Sequence, residues 1–78
     1  MDERGILMET RWTVTVWTFD DVKGWHPETI GMLSREAIAR ALYEVTDVTE
    51  DCPQVELYEW AIDECGNLDH GVLLERKD

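Results

Sequence analysis

From Ala41 to Glu75 the chain has no lysine and no arginine, while the same stretch carries Glu44, Asp47, Glu50, Asp51, Glu56, Glu59, Asp63, Glu64, Asp69 and Glu75. A segment with one sign of charge repels itself and opposes compaction, so it implies a cationic partner or a solubilising role. The whole chain of 78 residues has a net charge of −11. That charge excludes direct binding to free nucleic acid, whose phosphates it repels. It equally excludes docking on an anionic membrane surface. No apolar run reaches membrane-spanning length. Ile6 to Met8 is too short for a signal-peptide core and follows Asp2 and Glu3, so a cytoplasmic protein is expected.

Chemistry-bearing motifs are also missing. Cys52 and Cys65 are the only cysteines, without CxxC spacing, so reduced thiols are expected and a structural zinc site is not. Walker, Rossmann and metalloprotease motifs do not occur. Asp63 to Asp69 crowds oxygen ligands but departs from the order of an EF-hand loop. Cys65 and His70 lack an orienting third group and an oxyanion loop, so they do not make a nucleophile and base. Neither an enzymatic activity nor a cofactor or metal is expected.

What is present argues for a folded domain. Apolar residues make up 44% of the chain and four are tryptophan, too many for a disordered acidic tail. Residues 1–78 are expected to form a single domain. A chain this short buries only about 60% of its unfolded surface, so its core is thin.

Residues 1–8 suggest a loose start. Thr10 to Phe19 is the clearest strand, rich in β-branched and aromatic residues, with Trp12, Val14 and Val16 on a buried face. Its odd positions run from polar to aromatic, so burial of that face is expected only at the Phe19 end. Asp20 to Leu33, punctuated by Gly24, Pro27 and Gly31, reads as a long connection. Ser34 is the expected helix N-cap, with Ile38, Ala41, Leu42 and Val45 as the apolar stripe and an Arg40–Glu44 pair on the wet side. Gln54 to Ile62 alternates Val55, Leu57 and Ala61 against Tyr58, Trp60 and Ile62. A turn at Asp63 to Asn67, with Gly66 and Asn67 at positive φ, leads to a last strand, Leu68 to Glu75, and a frayed Arg76-Lys77-Asp78. The expected fold is α+β in the order β-α-β-β, a three-stranded and mainly antiparallel sheet with one helix packed on a face.

Two features point to binding. Alternate carboxylates on a strand face lie about 6.6 Å apart and can imitate a row of phosphates. Asp47, Glu50 and Asp51 after the helix, and Asp63, Glu64 and Asp69 around the hairpin, are expected to face a basic groove. Trp17, Trp25, Tyr58 and Trp60 are too many large rings for one thin core, so some belong on the uncovered sheet face as anchors. That face is expected to meet a partner or, in a homodimer, a second copy.

In size, acidity, element order and lack of catalytic residues, the chain resembles the small inhibitors encoded by phages and mobile elements, those of the anti-CRISPR type above all. The resemblance implies blockade of a basic nucleic-acid-binding surface, such as a CRISPR-Cas effector subunit, by DNA mimicry or steric occlusion. The partner-binding residues it implies are Glu44, Asp47, Glu50, Asp51, Glu56, Glu59, Asp63, Glu64 and Asp69, with Tyr58 and Trp60 as anchors. An antitoxin or nuclease inhibitor uses the same acidic surface. A small dimeric assembly module relies on the aromatic face instead.

Overall fold

The computed structural model describes residues 9–78, so the loose start expected for residues 1–8 lies outside the described residues. The elements are β1 (Glu9–Asp20), β2 (Gly24–Leu33), α1 (Glu36–Val45), β3 (Gln54–Ile62) and β4 (Leu68–Lys77). They form one sheet in the order β2-β1-β3-β4 with every neighbouring pair antiparallel, and α1 packs on one face. The fold is α+β with one helix, but the sheet has four strands where three are expected from the sequence. Among the described residues no helix is long and apolar enough to cross a membrane.

The additional strand is β2, which the sequence presents as a connection. A three-residue turn precedes it, in which Asp20 Oδ1 accepts the backbone N–H groups of Val22 at 2.7 Å and Lys23 at 3.1 Å. Those two bonds hold the Asp20 carboxyl below the usual range. Gly24 then takes φ +74°, a conformation costly for other residues, and β2 returns along β1. Pro27 and Gly31 weaken a central strand, but β2 is an edge, where a missing N–H is tolerated. Ile30 is the extra residue where the register shifts, between the Val14–Gly31 and Thr15–Thr29 pairs.

β1 lies between β2 and β3, and its Thr13, Val14, Thr15 and Val16 are all buried. Alternation therefore holds for Val14 and Val16 on the helix side. The other face is buried in the middle and open at Phe19, the reverse of the expected gradient. Trp60 of β3 bonds to Thr13, and the buried Glu56 of β3 stands beside Thr15.

The helix differs from its sequence reading in three ways. Arg35, not Ser34, occupies the N-cap, and no side chain caps the first turn. The buried stripe is Ala39 and Tyr43 with Leu42 beside them, whereas Ile38, Ala41 and Val45 face out. Ala39 and Tyr43 pack against Val14, Val16, Val55 and Leu57 of the sheet, and β4 adds one contact to the helix end. Lys77 Nζ donates to the Tyr43 carbonyl at 2.8 Å and stands 4.6 Å from the Tyr43 ring centroid. β4 thus runs on to Lys77 where a frayed end is expected. Arg40 pairs with Glu36 at 2.8 Å and with Glu75, not with Glu44.

Val14, Val16, Ala39, Tyr43, Val55 and Leu57 make the core, with Trp12, Leu33, Leu42 and Leu74 packed around them. Leu57 has no exposed surface. Leu57→Ala is expected to remove about 2–5 kcal/mol, the usual cost of such a cavity. Urea denaturation should show a lower midpoint at an unchanged m value; an unchanged midpoint would contradict this core.

Candidate protein-binding face

Pairing across the strands decides which residues share the face away from α1. Thr13 lies between Met32 and Tyr58, Thr15 between Thr29 and Glu56, and Trp17 between Pro27 and Gln54. Beyond Tyr58 and Trp60 on β3 come Leu73 and Gly71 of β4. No helix covers this side among the described residues, and its own aromatic side chains shield the backbone.

Two polar anchors hold those rings. Trp60 Nε1 donates to Thr13 Oγ1 at 2.8 Å, which lays the indole across β1. The same ring extends over Gly71, where an added Cβ would come within 2.5–2.8 Å of three ring atoms. Trp17 Nε1 at 3.1 Å and the Tyr58 hydroxyl at 3.2 Å both donate to Glu56 Oε1. Tyr58 and Trp60 pack with centroids 5.8 Å apart, and Phe19 meets Trp25 edge-on at 5.4 Å. The expected placement of Trp17, Tyr58 and Trp60 on the uncovered face matches this arrangement, and β2 brings Trp25 to the same side.

The acidic residues do not form one row. Asp47, Glu50 and Asp51 are exposed between α1 and β3, and the β1–β2 hairpin reaches past Gln54 at that end with Asp20 and Asp21. Glu64 and Asp69 are exposed around the β3–β4 hairpin. There Glu9 joins Asp63 and Glu64 in lining a depression of about 280 Å³, a grouping with no signal in sequence spacing. The nine residues of β3 separate the two sets, roughly 26 Å at about 3.3 Å per residue.

The remaining expected contacts scatter. Glu44 is exposed on the helix, and Glu59 points to the helix side, paired with Trp12 and Val72. Glu56 is only 6% exposed and its Oε1 is committed to Trp17 and Tyr58, so it organises the face from beneath. Asp63 Oδ1 accepts the N–H groups of Cys65 and Asn67, both at 2.9 Å, and so stiffens the turn. Gly66 there has φ +86°, while Asn67 does not share the positive φ expected of it. Cys52 and Cys65 are free thiols.

No family model matches the chain, no curated protein matches it, and no solved structure matches it.

Two predictions follow from the anchored rings. Gly71→Ala should push the Trp60 ring off β4 and break its bond to Thr13, a loss of about 1–3 kcal/mol for overpacking. Near-ultraviolet circular dichroism should change while the far-ultraviolet spectrum stays; an unaltered near-ultraviolet spectrum would refute the close contact. Burial first, and then the negative charge of Glu56, pushes the Tyr58 phenol above its ordinary value of 10.0. Burial, and then Glu75, does the same for Tyr43. The folded state therefore keeps phenol protons that the unfolded state has lost, and stability falls as pH rises beyond 10. A spectrophotometric titration should show both tyrosines ionising above free tyrosine, which either one titrating at the ordinary value would contradict.

Proposed function

We propose that the chain is a non-catalytic inhibitor that docks its open sheet face on a basic, nucleic-acid-binding surface of a partner protein in the host cytoplasm. A CRISPR-Cas effector complex is the favoured target. The observation that carries this reading is an anchored aromatic face with exposed carboxylates at both ends. Interfaces of this kind take their affinity from buried rings near the centre and their register and association rate from charge at the rim.

Net charge favours a basic partner over a second copy of this chain. A homodimer through the open face would set another −11 against the first. The resulting repulsion opposes close approach, whereas a cationic groove turns the same charge into attraction.

The test is order of addition with purified effector complexes. Protein added before target DNA should prevent DNA binding, and protein added after stable DNA binding should act weakly. Charge reversal of Asp47, Glu50 and Asp51 to Lys should reduce inhibition at least tenfold with the fold intact. Raising the salt concentration should weaken the complex steeply. Inhibition that survives both the reversal and high salt would rule out a charge-led interface.

A further inference from the structure

Trp17, Trp25, Pro53, Gln54 and Asp78 line an open surface depression of about 330 Å³ where the β1–β2 hairpin passes the start of β3. Its walls are two indoles and a proline ring, and its polar groups are one amide and one carboxylate. Trp17 is held by its bond to Glu56, and Trp25 meets Phe19 edge-on beside it. Arg76 faces the same side of the sheet, opposite Glu56, but does not line this depression.

We propose that this depression receives one arginine side chain of the basic partner, a step that rests on the docking function proposed above. An anion is repelled by Asp78 and by the overall charge. A purely apolar side chain would leave the carboxylate and the amide without partners, at a cost in desolvation. A guanidinium meets every wall: its flat faces stack on indole, its N–H groups bond to a carboxylate, and its methylene stem fits against proline. Lysine offers the charge without the planar stacking surface. The exposed acids Glu50 and Asp51 lie a few residues before Pro53 and would guide the cation in, while the indoles select its shape.

Calorimetry of the full chain with a hexa-arginine and a hexa-lysine peptide at low salt tests the assignment. The arginine peptide should bind roughly twofold to fivefold more tightly, the range that corresponds to a stacking contact at an exposed site. Trp25→Ala should bring the two peptides to parity, and Trp25 is 54% exposed, so the core is untouched. Asp78→Asn should narrow the ratio as well. Glu50→Gln with Asp51→Gln should weaken both peptides by the same factor and preserve the ratio. An arginine preference that persists in Trp25→Ala, or no preference in the wild type, overturns the arginine assignment while charge-led docking stands. Failure of both peptides to bind overturns the assignment and the docking function together.

Discussion

A ten-residue helix cannot cover both faces of a four-stranded sheet. It packs on the side of Val14, Val16, Val55 and Leu57, and the opposite side has to protect itself. The chain does this with large rings that carry polar handles. A tryptophan or tyrosine covers much apolar surface while its N–H or O–H finds an acceptor. Trp60 reaches Thr13, and Trp17 and Tyr58 share Glu56. A carboxylate this deeply buried is costly without partners, and here the two donors offset part of that cost. A face built this way shields the backbone yet keeps rings at its surface, which is what the proposed docking requires.

The fold manages its excess charge by position. Many of the exposed acids, among them Asp21, Asp47, Glu50, Asp51 and Glu64, stand in loops and turns at the two ends, where water screens them. Where carboxylates come together near the helix, the few bases are spent on them: Arg40 joins Glu36 and Glu75. Lys77 serves the helix end and the Tyr43 ring instead. Exposed ion pairs contribute only about 0–1 kcal/mol each, so the packing of the core carries stability. Among the acids at the ends, Asp63 and Asp20 hold turns and Glu9 pairs with Arg11 at 3.1 Å.

Patterns of period two were legible from sequence in β1 and β3, because each buries an apolar file against the helix. β2 was not, because an edge strand may keep Pro27 and Gly31, the residues that mark a loop elsewhere. The helix was legible as an element but not in its rotation. Ile38, Ala41, Leu42 and Val45 read as one stripe, yet Ala39 and Tyr43 join Leu42 against the sheet, because their partners Val14, Val16, Val55 and Leu57 come from strands distant in sequence. The same limit applies to the candidate site. The aromatic anchors could be named from their number and alternation. The burial of Glu56, the approach of Glu9 to Asp63, and the meeting of Trp17 with Trp25 all depend on register between distant strands, which single-chain periodicity does not encode.

Under the proposed function, the distribution of charge bears on how the chain would displace nucleic acid. A strand mimic needs carboxylates in a closely spaced file along one face. Here the alternate positions on the open face are taken by Glu56, Tyr58 and Trp60, and the one acid among them is buried. Two groups of exposed acids instead lie at the ends, separated by the length of β3, while Glu44 and others stand apart from both. Two charged groups with rings between them suit a surface that has two basic patches flanking an apolar seam. They do not suit one continuous track of backbone contacts. Steric occlusion therefore fits the arrangement better than mimicry of a phosphate backbone. The acids would guide and orient the approach, and the bulk of the sheet would occupy the space that nucleic acid requires.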